Sequence, residues 1–489
     1  MRRLSLLLFF ALWPACATDV PRAALERISA EALKAHVAFL ASDALEGRGT
    51  PSRGQEAAAE YIAAQFMRLG LEPAGGGGSY FQNAKFAQVT ANLDGAEIAI
   101  EAGGTKYAIP AERIGVIGAQ ARGAKIDGAE AVKVTGADEA TPERIANKVA
   151  LVEAPDYNGL NGAEARRNAY RVFRELRDRI DEARAAVVIT IGEAAPARPA
   201  RPMKRLVSME KPPALWLSVG DAALLKAFRE GQAFKATIHI AEPEREPVEL
   251  RNVAGIVRGT DPALRGTYVI VSAHYDHMGV LAGGGGDRIM NGANDNASGT
   301  ASMIEVAHAL MAAPPRRSVL FIAWFGEEMG LFGSRHYVSK PLEPLASTIA
   351  NINLEQMGRI DDPAGPAPGS AGMTGADYSD VGNAFARAAE ETGVRFIRNP
   401  HWDEYFTRSD NVSFAAMGIP AHTLSVALEY PDYHKVSDEW DKLDYGNMEK
   451  ITRFVAEGVA LLANGEQAPK WNADNPNAAE FAGARQEQH

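Results

Sequence analysis

The sequence has almost no cysteine: Cys16 is the single one in 489 residues. It falls within the amino-terminal leader, so the folded part has neither a disulfide nor a thiolate metal site, and its stability must come from core packing. Basic residues are outnumbered, 51 Lys and Arg against 62 Asp and Glu, for a formal charge of -11. No basic stripe with interleaved aromatics offsets that charge, which argues against nucleic acid as a partner. Past the leader no apolar run reaches the roughly 20 residues needed to cross a bilayer, so no membrane span is expected. No internal repeat is visible.

What is present is the composition of a folded protein, 46% hydrophobic and 23% charged residues, in a chain longer than one core usually organises. Two domains are expected. The opening "MRRLSLLLFFALWPACATD" has a basic start, a short apolar segment and small residues, the layout of an export signal over residues 1–17. Cleavage after Ala17 discards Cys16; lipoprotein processing instead makes Cys16 a lipid anchor, although Trp13 stands where such signals usually carry Leu. Periplasmic or secreted export is the preferred reading, with lipid anchoring as the alternative.

Residues 28–70 read as two helices, the first with Ser29 as a candidate cap and the second stopped by Gly70. Short β runs at "KVALVEA", "AAVVITIG" and "PALWLSV" enclose a charged helix, "EARRNAYRVFRELRDRIDEARA", and a Pro-rich loop, "APARPARPMKR". These suggest a smaller α/β insert over 113–245, interrupting a larger domain made of 22–112 and 246–465. From 250 onward strands and helices alternate. That pattern predicts an α/β fold, a three-layer α/β/α domain with a mostly parallel mixed sheet and ligands beyond the carboxyl ends of its strands. The polar tail, 466–489, is expected to carry little order.

The polar motifs fall at those strand ends. "HYDHMG" follows the apolar run "TYVIVSA". In a strand His274 and Asp276 share a face, which suits a metal-bound imidazole whose second N–H is fixed by a carboxylate, while Tyr275 and His277 turn away. A hydrogen-bonded pair at a strand end fits equally well. In "NGANDNASGT" Asp295 sits on a tight turn; Ser298 is better placed than Asp295 or Asn296 to cap the helix starting at Gly299. "WFGEEMG" sets Glu327 and Glu328 side by side at a buried edge, a conflict that a cation relieves and that a solvated helix start would also explain. One of these acids can bind metal while the other serves as general base. "NINLEQMG" ends a strand in Glu355, and "YPDYHKVSDEW" offers His434. Nitrogen and carboxylate ligands in this mixture suit Zn2+.

In this order, H-x-D, N-D-N-A-S-G, E-E, N-L-E and Y-H resemble the zinc aminopeptidase family that includes bacterial leucyl aminopeptidase, glutamate carboxypeptidase and, in degenerate form, the transferrin receptor. The similarity spans residues 28–110 and 250–465. The resemblance implies two Zn2+ per chain, one bound by His274 and Glu355, the other by Glu328 and His434, with Asp295 bridging them. It implies peptide substrates, a water activated between the cations, Glu327 as general base, Asp276 behind His274, and a non-proline cis peptide at Asp295–Asn296. Tyr433 is a candidate donor to the oxyanion, with a packed core tyrosine as the alternative. Glu355 departs from the family, where that position is most often Asp, and the insert resembles a protease-associated domain.

"FTRSDNVSF" resembles a segment at the family's pocket rim, with Arg408 as a substrate contact and Ser409–Asp410 as a helix cap. His277, His308, His336, His401 and His422 are assigned no role, His308 and His336 because no acid matches them; His401 with Trp402 is a weaker candidate for the cleft wall. Two further readings stay open: a single-zinc acyltransferase of the glutaminyl cyclase type, and a non-catalytic receptor-type binding module.

Overall fold

The computed structural model describes residues 20–484 except 157–162, 195–203, 211, 364 and 366. The expected export signal, with Cys16, and most of the Pro-rich loop lie outside the described residues. The chain forms two compact units, one being Ala84–Leu250 and the other the segments before and after it. This moves the expected boundaries from 113 to 84 and from 245 to 250. The cause is long-range pairing: Glu97–Ala102, assigned by its sequence position to the larger domain, is antiparallel to Phe234–Ile240, with Ile98 opposite Ile238.

In the larger unit the elements that position the site are α1 (Ala30–Leu40), α2 (Arg53–Leu69), β1 (Glu244–Val257, of which residues 251–257 belong to this unit), β2 (Tyr268–His274), α3 (Gly299–Ala312), β3 (Ser318–Trp324), α4 (Phe332–Ser339), β4 (Thr348–Glu355), β5 (Ser370–Met373), α5 (Val381–Thr392), β6 (Arg395–Ile397), α6 (Asn411–Ala415), β7 (Ala421–Ser425) and α7 (Tyr445–Asn464). Local signals set the first helices. Ser29 Oγ accepts the Ala32 N–H, Ser52 Oγ accepts the Gln55 N–H, and α2 stops at Gly70, whose φ of 81° suits a residue without Cβ.

The sheet runs β6-β5-β7-β4-β2-β3-β1. Strands β7, β4, β2 and β3 are mutually parallel, whereas β1 is antiparallel to β3 and β5 to β7. The parallel strands are buried on both faces, which is why β2 and β3 read as nearly continuous apolar runs, whereas β4 is interrupted by Asn351 and Asn353. On one face Ile256, Ile270, Leu320, Ile322 and Trp324 pack with Tyr337 of α4 and Phe414 of α6. On the other, α3 and α7 lie against β2, and α7 also meets α1 and α5. The expected three-layer α/β/α architecture is present. Chain order matters for function: α3 leads from β2 outward to β3, and the chain then returns to the opposite side of β2 as β4. Strand order therefore reverses between β2 and β4, the place where such sheets open a crevice at their carboxyl ends.

The tail departs from expectation. Through residue 484 it is folded: Trp471 Nε1 donates to the Gly418 carbonyl at 2.9 Å, and Phe481 is buried 5.2 Å from the Phe406 ring. Two isolated aromatics do this work in an otherwise polar stretch, too sparse a pattern to read as an element. Among the described residues no helix is long and apolar enough to cross a membrane.

The smaller unit contains an eight-stranded sheet in which Val149–Glu153, Val187–Gly192 and Leu215–Gly220 are parallel neighbours. Leu176 and Ile180 of the helix Ala163–Glu182 join one core with Val188 and Trp216, and Leu224 and Phe228 of Ala222–Glu230 join another with Ile189 and Leu217.

His422 in β7 is fully buried, with Nδ1 3.0 Å from the Thr374 carbonyl and Nε2 2.6 Å from Ser379 Oγ. Burial lowers its pKa to about 4, partly offset by the Thr374 hydrogen bond. The sign follows: the unfolded chain, near 6.5, binds the proton first, so the stabilisation is complete above pH 6.5 and is lost as pH falls toward 4. The expected loss is on the order of 3 kcal/mol. Urea unfolding at pH 7 and pH 4.5 should show a shallower pH dependence for His422→Gln than for the wild type; equal slopes would rule this histidine out as the cause.

Candidate metal centre

His274 closes β2, Glu355 closes β4, and the Gly326 turn after β3 presents Glu327 and Glu328. Asp295 comes from the loop entering α3, and His434 from the loop after β7. Side chains far apart in the sequence thus meet at one edge of the sheet. They form two groups that share Asp295: His274, Asp295 and Glu355, and His277, Asp295, Glu328 and His434.

In the first group His274 Nε2 lies 3.3 Å from Asp295 Oδ1 and 3.3 Å from Glu355 Oε2. In the second, His434 Nε2 is 3.1 Å from Asp295 Oδ2 and 3.4 Å from Glu328 Oε1. Each oxygen of Asp295 therefore faces a different group. Ligands about 2.0–2.1 Å from a tetrahedral cation stand about 3.3 Å from one another, so the donor atoms have the spacing a zinc-sized ion requires. Glu355 fills its place despite its extra methylene: Ser409 Oγ donates to Oε1 at 2.5 Å, and Asn353 Nδ2 does so at 3.3 Å. Peptide Asp295–Asn296 is cis, as the resemblance implies.

The electrostatics call for positive charge. Burial raises the Glu327 carboxyl well above the usual range, with Glu328 and Glu355 adding to the effect against the pull of His274. Burial would raise Asp295 too, yet hydrogen bonds from His274 and His434 hold it far below. Those bonds to Asp295 and Glu328 raise His434 to about 10. Carboxylates buried together thus pull protons onto the histidines, and divalent cations satisfy the same demand while releasing those protons.

Several expectations need correction. The His274 Nδ1–H points to the Asp276 backbone carbonyl at 3.1 Å; the Asp276 carboxylate is 3.7 Å away and has other duties. Its Oδ1 accepts the Glu327 N–H at 3.1 Å and its Oδ2 the Thr50 hydroxyl at 3.0 Å. Asp276 thus places the general-base candidate as well as the ligand. Ser298 does not cap α3. Its Oγ donates to the Asn294 carbonyl at 2.7 Å and accepts the Met357 N–H at 2.8 Å, while Asn296 Oδ1 accepts the Gly299 N–H at 3.0 Å. Asp410 makes no capping bond either, and Ser409 is spent on Glu355. Tyr433 stacks on the His434 ring at 4.0 Å. Arg408 lies over the Tyr405 ring at 4.8 Å, and Trp402 is buried under Gly372. His308 does have an acid one turn away, Glu305, at 3.5 Å.

Three residues were missed. His277 is the first: strand alternation placed it on the far face, but β2 ends at His274, and beyond the strand that rule no longer applies. Asp438 accepts the Asn294 and Asp295 N–H groups at 3.1 Å and the Tyr430 hydroxyl at 2.8 Å, holding the Asp295 loop from beneath. Arg48, buried without exposure and with φ of 50°, donates to the carbonyls of Tyr275, Asn291 and Gly292 at 2.7–3.0 Å and to that of Leu40. It ties the His274 loop to the Asp295 loop. The signal available in the sequence was a lone Arg between glycines in "EGRGT", which no periodicity singles out.

The three-layer α/β/α domain thus carries two histidine–carboxylate clusters joined by one aspartate. Residues 252–459 match the family described as Peptidase family M28. Over 208 residues the chain is 28% identical to aminopeptidase YwaD of Bacillus subtilis (strain 168), covering 41% of this chain and 42% of that protein. Over 224 residues it is 27% identical to the probable glutamate carboxypeptidase VP8 of Zea mays, covering 42% and 28%. The match thus spans less than half the length of either relative. The aminopeptidase from Aneurinibacillus sp. strain AM-1 shares the fold, with a TM-score of 0.50 and 21% identity over 92% of this chain and 96% of that one.

Arg48→Met should leave those four carbonyls without their donor. Charged hydrogen bonds contribute about 1.5–3 kcal/mol each and are not additive, so a loss of at least about 3 kcal/mol is expected, together with weaker metal retention. Urea unfolding and metal analysis of the dialysed variant check this. Wild-type values in both would show that Arg48 does not hold the loops.

Proposed function

We propose that the chain is an exported aminopeptidase that removes amino-terminal residues from peptides with two zinc ions. One is held by His274, Asp295 and Glu355, the other by Asp295, Glu328 and His434. The observation that carries this reading is the sharing of the buried Asp295 between two clusters, one oxygen to each. Choice of the amino end draws on the Bacillus relative, an aminopeptidase by name.

When bound, the cations supply Lewis acidity, which polarises the scissile carbonyl and lowers the pKa of water. Glu327 belongs to neither cluster, so its carboxylate is free to take the proton of the attacking water and return it to the leaving amine. The Asp276–Glu327 hydrogen bond holds the backbone from which it reaches. Tyr433, whose pKa is raised by burial and by Asp295 and Glu328, stays protonated and can donate to the developing oxyanion.

Chelation should abolish hydrolysis of amino-acid p-nitroanilides and zinc should restore it, with about two zinc ions per chain by mass spectrometry. One ion per chain would favour the cyclase-type reading and none the receptor type. Glu327→Ala should keep both metals while kcat/KM falls about 10²–10⁴-fold. Peptidase activity at wild-type levels in that variant would falsify the assigned base. For export, the mature amino terminus is the readout: Thr18 after cleavage following Ala17, or lipidated Cys16. An intact Met1 in protein recovered from the producing cells would contradict both.

A further inference from the structure

The two clusters are unequal. His277 Nδ1 lies 2.9 Å from Glu328 Oε1 and 4.0 Å from Asp295 Oδ2, and its ring centroid is 5.5 Å from that of His434. With the Glu328–His434 and His434–Asp295 spacings of 3.4 and 3.1 Å, these four contacts bracket the roughly 3.3 Å edge of a tetrahedron about a zinc-sized ion, and all four donor atoms lie within 4.8 Å of one another. The other cluster has three donors. The His277 side chain is fully buried, and its placement is built in by the backbone. Its N–H reaches the Arg48 carbonyl at 3.3 Å, and a Cβ at Gly292 would stand 2.5 Å from the imidazole, so this ring position requires glycine there. Nε2 has no hydrogen-bond partner among the described residues, so the ring's polar contacts all lie on the side of the cluster.

We propose that His277 is a fourth protein ligand, through Nδ1, of the cation held by Asp295, Glu328 and His434. This rests on the dizinc reading above. The consequence is a division of labour. A cation with four side-chain ligands is enclosed and held tightly, whereas the cation of His274, Asp295 and Glu355 keeps an open position and exchanges more readily. The competing account is that His277 only donates a hydrogen bond to Glu328 and orients it.

The test uses the full chain, stripped with chelator and titrated with Zn2+ and with Co2+. The wild type should bind two equivalents of unequal affinity. In His277→Ala the tighter equivalent should weaken by more than the 10–100-fold typical of losing a partner outside the coordination sphere. His277→Asn places an amide N–H near the Nδ1 position, can still donate to Glu328 and is a poor ligand. It should show the same loss and the same altered Co2+ ligand-field spectrum. Wild-type affinity and spectrum in His277→Asn, or two unchanged equivalents in His277→Ala, would overturn the proposal. Should either variant fail to fold when metal-free, zinc-edge X-ray absorption on the wild type decides: imidazole scattering from three histidines supports it, from two overturns it. A wild type that binds no metal would instead defeat the dizinc reading.

Discussion

The arrangement depends on a single aspartate placed with one oxygen toward each of two imidazoles. Asp295 is buried, and burying a carboxylate is tolerated only when partners stabilise the charge. His274 and His434 do so from opposite sides at 3.3 and 3.1 Å. Because they come from β2 and from the loop after β7, the position of Asp295 relays the geometry of the whole sheet into the site. A shift of the β2–β4 crevice by an ångström would open one cluster or the other.

What keeps that from happening is a set of buried polar bonds running under the site. Asp438 holds the Asp295 backbone, Arg48 joins the loops at 275 and 291–292, and Asn296 accepts from both the Gly299 and the Gln356 N–H groups at 3.0 and 3.1 Å. One layer deeper, Ser272, Asn351 and Asn353 connect β2 to β4: Asn351 donates to Ser272 Oγ at 2.9 Å, and Asn353 to Ser409 Oγ at 2.9 Å. Ser409 in turn bonds Glu355. Buried polar bonds of this kind rigidify the elements they join, and here the bonds that join β2, β4 and the Asp295 loop are those that align the ligands.

Much of this was legible in the sequence because parallel strands advertise themselves. Apolar runs such as "YVIVSA" and "VLFIAW" end abruptly in His or Glu, and the carboxyl ends of parallel strands share an edge, so order along the chain implied proximity in space. The failures have a common cause. Asp276 was paired with His274 by strand alternation and His277 was set aside by it, yet both lie past the last strand residue, where the chain turns. Arg48 and Asp438 carry no periodic signal and act through backbone groups. The domain boundary was missed for a related reason, since Glu97–Ala102 is recognisable as a strand but its partner lies more than 130 residues away.

The H-x-D-H stretch shows why two histidines and an aspartate belong together at a strand end. His274, still in the sheet, points along the crevice toward Glu355. Asp276 uses its carbonyl to orient that imidazole and its carboxylate to hold the Glu327 backbone, so one residue sets both the ligand and the base candidate. A tether through the backbone of Glu327 leaves its side chain unencumbered, which a direct carboxylate contact would not. His277, one residue further, turns back because the chain has left the sheet and Gly292 opens space for its ring. Within four consecutive residues, His274, Asp276 and His277 thereby reach both histidine–carboxylate clusters and the acid beside them, and no regular helix or strand could aim three such side chains at a common centre in that way.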